Sequence, residues 1–383
     1  INLPSVRHLI QNVEVSTRPK LDLQRQRLMF VANHSTHSDP QIVAETQRQL
    51  GVQSCFMAAY DVFERNKLTS WVMQRGGCFS VNRDSSDNKS MKEAMRILSA
   101  GDYALTLFPE GNVYLMNDRV TPFLDGAAFI ALKAQKQLGK DQSIKVVPLS
   151  IKATHLTDQR EAIFGRMDRL AESIGTSFDR KVPLVGEVKR VGVHALERTL
   201  RHRGMLPQER IAIELPNHLE HCAQQMIEKL ELKMAQTPRS SASLTDRIRI
   251  IRAQVHKVRT DEARKVDHAV AMTWADEAMV ALRVLSYSGK YLDEKPSLDR
   301  FGETAEKLLE DVFSEVQPPH GDRQAFVRVN EPIDLASMLD QFTQDGRGTI
   351  QSLTNQMENT IQAGLDELNS SNPHPGGKLL EEL

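Results

Sequence analysis

The chain has 383 residues, 40% hydrophobic and 26% charged, with 49 Lys and Arg against 50 Asp and Glu. That length supplies core for two or three domains, and a net charge of −1 offers no basic field to draw nucleic acid. Three cysteines, Cys55, Cys78 and Cys222, lack metal-site spacing and suit a reducing compartment.

The first apolar run, Leu28–Val31, reads as a buried strand that ends in the polar turn Asn33–Asp39. Pro40 then opens a helical pattern through Leu50, which places Asp39 as the helix N-cap. His34 stands at the strand end, and four residues separate it from Asp39. An imidazole with a carboxylate beside it is a base with its orienter, a geometry suited to taking a proton from a hydroxyl.

A strand near 54–59 and a helical pattern at 64–74 follow. Gly76 and Gly77 lead into a strand near 77–82 with Arg83 at its exit. A guanidinium there suits a two-point clamp on phosphate; a surface pair with Asp84 or Asp87 is the plainer alternative. After a helix at 88–100, the strand Tyr103–Phe108 breaks at Pro109 and delivers Glu110 and Gly111 into a turn. A helix at 126–138 precedes a strand at 144–151 whose Pro148 suggests an edge or a bulge. Such alternation implies an α/β sheet covered by helices, with chemistry in the loops after strands.

Beyond about residue 155 the character changes. Val182–Val188 looks strand-like, whereas Asn217–Gln236 and Leu244–Ser288 carry apolar residues at helical spacing. Pro238–Ser243 reads as a hinge, with Ser243 or Thr245 capping the next helix. Within Asp246–Arg259, Ile248, Ile251, Val255 and Val258 share one face and cations fill much of the rest. A basic amphipathic helix of this kind either lies on anionic lipid or, more simply, packs its apolar face on a neighbour. The longest apolar runs, such as Ala127–Leu132, are far shorter than the roughly 20 residues that span a bilayer. Gln324–Leu335 again alternates like a strand.

The expected fold is therefore α/β: a mixed sheet covered by helices, with a large, mostly helical insertion. Residues 1–160 would form the catalytic core, 161–320 the insertion, 321–368 the return to the core and 369–383 a flexible tail. Because the chain begins at Ile1 rather than Met, a preceding targeting segment stays an open question.

Four segments in order resemble the glycerolipid acyltransferase superfamily. Its first block, Asn-His, four residues, Asp, is matched by Asn33, His34 and Asp39. The second, Gly-x-Ile/Phe, three residues, Arg, is matched by Gly77, Phe79 and Arg83. The third, Phe-Pro-Glu-Gly, is matched at Phe108–Gly111, and the fourth, a Val-Pro strand, at Val147 and Pro148. The late strand also looks like the family's Val-x-x-Gly-Glu-Pro-Ile, with Asn330 in place of the Gly. Two departures bear on the acceptor. Asn112-Val113 stands where the family has Thr-Arg, and Phe123–Gly126 lacks a Lys that many members carry, so Arg119 or another residue would have to compensate.

The resemblance implies an O-acyltransferase of phospholipid biosynthesis, with His34 and Asp39 catalytic. Arg83, Glu110, Gly111, Asn112, Gly77 and Phe79 would meet the acceptor. It implies no cofactor and no metal; acyl-CoA or acyl-carrier protein is the co-substrate and a glycerolipid, foremost 1-acylglycerol-3-phosphate, the acceptor. His37 could join His34, Asp39 and Glu110 in a metal set, but its spacing is not diagnostic. Glycerol-3-phosphate, a non-phosphorylated acceptor, and a non-catalytic scaffold stay open as alternatives. The expected location is the cytoplasm, with peripheral contact at the inner face of a membrane.

Overall fold

The structure, a computed structural model, describes residues 10–17, 26–64, 66–81, 87–203, 215–234, 243–260, 268–318 and 320–382. In chain order the elements are β1 (Ile10–Thr17), β2 (Arg27–Ala32), α1 (Asp39–Gln49), β3 (Ser54–Ala59), α2 (Tyr60–Glu64), α3 (Lys67–Arg75) and β4 (Cys78–Val81). Next come α4 (Asn88–Ala100), β5 (Ala104–Leu107), α5 (Gly126–Leu138) and β6 (Ile144–His155). Helices α6 (Arg160–Ser173), α7 (Leu184–His202), α8 (Leu215–Lys233), α9 (Leu244–Thr260) and α10 (His268–Leu285) follow. The chain ends with α11 (Tyr291–Glu294), α12 (Leu298–Phe313), β7 (Arg323–Val329), β8 (Ile333–Asp334), α13 (Leu339–Gln344) and α14 (Gly346–Ser370). Two compact units result: Ile1–Gln159 with Ser297–Glu303 and Pro319–Leu383, and Arg160–Pro296 with Thr304–Pro318.

The first unit is built on one mixed sheet of order β1-β7-β6-β2-β5-β3-β4, with β8 also on β6. Strands β6, β2, β5, β3 and β4 run parallel, and β7 and β8 join β6 antiparallel. A parallel sheet covered on both faces needs strands that are apolar at every position. β2 meets that need with Leu28, Phe30 and Ala32 in one core cluster and Met29 and Val31 in the other. The second of these clusters also takes Ile97 and Leu98 of α4, Ala128 and Leu132 of α5, and Leu353 and Ile361 of α14. The first takes Ile42 and Val43 of α1.

Pro148 lies in an interior strand, which corrects the edge expectation. β7 pairs with β6 from Leu149 to His155 and β8 with Lys145 and Val146, so the proline falls in the gap between them. A missing N–H does no harm where no partner strand calls for it. Asn330, at the family's Gly position, donates its backbone N–H to the Pro148 carbonyl at 3.0 Å and its side-chain amide to the Ser150 hydroxyl at 3.0 Å.

Three further expectations change. β1 was not foreseen; seven of its eight residues pair in parallel with β7, with an irregularity between Ile10 and Asn12. The strand-like Val182–Val188 is instead the start of α7, where Val188, Val191 and Ala195 are buried at helical spacing behind Pro183 as N-cap. Helical burial of that stripe outweighs a short run of β-branched residues. The expected flexible tail is tied down: Asn372 donates to the Thr154 hydroxyl at 2.9 Å, and Leu298 N–H to the Lys378 carbonyl at 3.0 Å.

The second unit is helical. α8, α9 and α10 share a core that includes Ile227, Leu230, Ile248, Ile251, Val255 and Ala281. The apolar face of α9 is thus turned inward, as the simpler reading of that basic helix has it, and Arg247 is buried in a two-point bond with Glu231 (2.9 and 2.7 Å). Ser243 caps α9 by accepting the Asp246 N–H at 3.1 Å; Pro238 and its neighbours through 242 lie outside the described residues.

Candidate active site

Neighbouring parallel strands place their C-terminal loops side by side, and β2 adjoins β5. The turn after β2 and the turn after β5 therefore meet, which is why His34 and Glu110 come together although 76 positions separate them. The His34 N–H donates to Glu110 Oε1 at 2.8 Å, and the Thr121 hydroxyl donates to Oε2. Glu110 is 4% exposed, and burial pushes its carboxyl up to about 8, against the hydrogen bonds from Thr121 and His34. One oxygen thus ties the β2 turn to the loop after β5, and the other braces that loop on itself.

Asp39 is the first residue of α1, and Ser38 is the N-cap without a side-chain cap bond, which corrects the cap assignment. Because the helix begins one residue early, the Asp39 carboxylate turns back into the loop. Its Oδ2 lies 3.0 Å from His34 Nδ1 and accepts the Thr36 N–H at 2.8 Å, while Oδ1 accepts the Thr36 hydroxyl at 2.7 Å. All partners of this buried carboxylate are donors, so the imidazole presents Nδ1–H to it and keeps Nε2 as the proton acceptor. The His34 ring also stacks on Phe108, with centroids 4.3 Å apart.

Two asparagines brace the turn where β2 has ended. The Asn33 side chain donates to Ile151 O at 2.9 Å and accepts Ile151 N–H at 2.8 Å, as a strand residue would. Asn117 makes the same pair of bonds to Ala153, and accepts the Ser35 hydroxyl at 3.4 Å. Thr36, Asn117 and Thr121 are site residues that sequence reasoning missed. Only Thr36 had a local signal, a hydroxyl three positions before an Asp at a helix start.

Gly111 follows with φ +75, a left-handed conformation that suits glycine, and a Cβ there would meet Leu124 Cδ1 at 2.9 Å. Asn112 donates to the Tyr114 hydroxyl at 3.4 Å. Gly77, with φ +84, leads into β4, where Phe79 is half-buried against the core. β4 ends at Val81, three strands from β2, or roughly 14 Å across the sheet. Arg83 lies outside the described residues. His37 is exposed.

Glu110 should leave a mark on stability. The unfolded chain releases this proton near pH 4.3, whereas the folded protein holds it to about 8. The contribution is full below about 4.3 and is lost as pH rises through about 8, with a limiting slope of about 1.4 kcal/mol per pH unit. Thermal unfolding across that window should show the melting temperature falling with pH, and Glu110→Gln should flatten the fall. An unchanged slope in the variant would show that Glu110 ionises normally.

Among known proteins, the family model described as Acyltransferase matches residues 10–152. No curated protein and no solved structure matches the chain.

Proposed function

From the premise that residues 10–152 belong to the glycerolipid acyltransferase family, so that the protein is an acyltransferase, we propose a specific reaction. It moves a fatty acyl group from an acyl-CoA or acyl-carrier-protein thioester to a glycerolipid hydroxyl, that of 1-acylglycerol-3-phosphate, in phospholipid biosynthesis. The observation that carries this reading is the His34 Nδ1 to Asp39 Oδ2 contact of 3.0 Å in a turn clasped by Glu110.

In this reading Nε2 of His34 takes the acceptor's hydroxyl proton as that oxygen attacks the thioester carbonyl. Asp39 holds the imidazole in the needed tautomer and stabilises the imidazolium. Collapse of the tetrahedral intermediate breaks the carbon–sulfur bond, and the imidazolium returns the proton to the leaving thiolate. The acceptor itself is the nucleophile, so no acyl-enzyme forms. Glu110 fixes the backbone of His34 rather than touching substrate, a role different from the acceptor contact expected of it. Phe108, stacked on the ring, limits its rotation.

The proposed location is the cytoplasm with peripheral contact at a membrane. Among the described residues no helix is long and apolar enough to cross a bilayer.

Free-thiol release from palmitoyl-CoA and from acyl-carrier protein, with glycerol-3-phosphate, lysophosphatidic acid or a neutral lysolipid as acceptor, tests the reaction. Release only with lysophosphatidic acid is the expected result; preference for a neutral lysolipid would overturn the acceptor. Arg83 is proposed to clamp the acceptor phosphate, so that binding energy positions the hydroxyl. Arg83→Ala should then raise KM for the phosphorylated acceptor about tenfold to a hundredfold, the worth of a lost charged hydrogen bond of 1.5–3 kcal/mol. An unchanged KM would remove that role.

A further inference from the structure

The two short helices that follow β3 carry side chains the reaction above does not use. On α3, Leu68 is 69% exposed and Trp71 is 54% exposed, and Tyr60 at the start of α2 is 48% exposed. Leu68, Trp71 and Arg75 stand at i, i+3 and i+7, one face of the helix. The Arg75 guanidinium lies over the Trp71 ring at 4.8 Å. On the adjacent side of α3, Ser70 and Gln74 turn instead toward a cleft that Tyr60, Phe63 and Phe79 also line. The exposed face is therefore not the wall of that cleft.

We infer that this face of α3 is where the catalytic unit meets a phospholipid layer. The inference rests on the lipid-acceptor reading and extends it to a surface. α3 runs Lys67-Leu-Thr-Ser-Trp-Val-Met-Gln-Arg75, with a cation at each end and no acid. Tryptophan flanked by cations and leucine is the residue set of a membrane interface: the indole sits at headgroup depth, the leucine below it and the cations on anionic headgroups. Charge complementarity thus favours an anionic layer over a neutral one. α2 leaves the C-terminal end of β3, the edge at which the His34 turn leaves β2, and α3 runs back from there toward the start of β4. The apolar face of α9 cannot serve in its place, because it is buried in the second unit.

Trp71 reports on its own surroundings. The chain has two tryptophans, so a Trp274→Phe background leaves Trp71 as the sole indole emitter. With that full-length protein, vesicles of phosphatidylcholine mixed with phosphatidylglycerol should shift the emission to the blue, and brominated acyl chains should quench it. Leu68→Ser should lower the vesicle-bound fraction about tenfold, while acyl transfer to a water-dispersed short-chain acceptor keeps its rate. Vesicle binding without a change in Trp71 emission, or no binding, would overturn the inference. An emission change with acidic acyl-carrier protein but not with vesicles would overturn it too, in favour of a protein partner. Absence of acyl transfer to any acceptor would sink the proposed reaction, a failure read separately from the vesicle result.

Discussion

Replacing His34 with Ala is expected to lower turnover by roughly 10²–10⁴-fold, the usual worth of a positioned general base. The loss should fall on kcat, since Nε2 acts on the hydroxyl only as the oxygen attacks. Asp39→Asn is the informative companion. Asp39 Oδ2 faces two fixed donors, Nδ1–H of His34 and N–H of Thr36, whereas Oδ1 faces a rotatable hydroxyl. An Asn at this position would turn its NH2 toward the Thr36 hydroxyl, which can reverse and accept. Its oxygen would stay on His34, so the tautomer survives and only the negative charge is lost. The expected loss is accordingly smaller than that of His34→Ala, unlike a triad in which the amide forces the wrong tautomer. Thiol release from an acyl thioester in the presence of acceptor measures both. Near-normal turnover in His34→Ala would remove the assignment, and equal losses in the two variants would show that the amide flips the imidazole.

Local pattern carried most of the sheet. Leu28–Val31, Ser54–Ala59 and Tyr103–Phe108 are apolar strands bounded by turns, and the structure has strands at 27–32, 54–59 and 104–107. Helices read at 88–100 and 126–138 stand at those residues, each marked by an apolar stripe and a Gly just past its end. β1 escaped because its alternation, Val13 and Val15 between polar residues, is short and its partner β7 lies more than 300 residues away. Such an edge strand draws its pairing from tertiary structure rather than from propensity. α7 escaped for the opposite reason, since valines at its start look like a strand until the burial of Val188, Val191 and Ala195 is known.

The site divides along the same line. His34, Asp39 and Glu110 were visible because each stands a few residues past the end of an apolar strand. The approach of Glu110 to the His34–Asp39 pair was not, because it comes from the adjacency of β2 and β5, which no spacing states. Asn117 and Thr121 were invisible for a further reason: their partners, Ala153 and Glu110, are reached only through the fold. The least legible feature of all is a buried cluster of charges behind the turn, whose members come from positions 118, 152, 155, 299, 300 and 323.

That cluster sets the largest expected effect on stability. Lys152 is 1% exposed in the middle of a strand, an expensive place for an ammonium. Its Nζ bonds Asp118 and lies 3.4 Å from Asp299, while Arg300 donates to Asp118 at 2.8 Å. Asp299 also accepts His155 Nδ1–H at 2.7 Å, and Arg323 donates to the other ring nitrogen at 3.1 Å. Burial by itself would raise both carboxyls, but the Lys152 charge, with these hydrogen bonds, holds Asp118 and Asp299 below the ordinary range. Lys152→Met should therefore destabilise the protein by about 3–5 kcal/mol, because two carboxylates stay buried with their shared cation gone. The sign of its pH dependence follows. A depressed carboxyl contributes stability above its unfolded value near 3.9 and loses it as pH falls through the folded value. The gap between wild type and Lys152→Met, read from urea midpoints, should thus be widest near neutrality and narrow below about pH 4. Adding Asp299→Asn should recover part of the loss, since Asp118 keeps Arg300 and the Asn oxygen still accepts from His155. A gap that stays constant with pH, and no recovery in the double variant, would mean that Lys152 contributes by its volume and not by its charge.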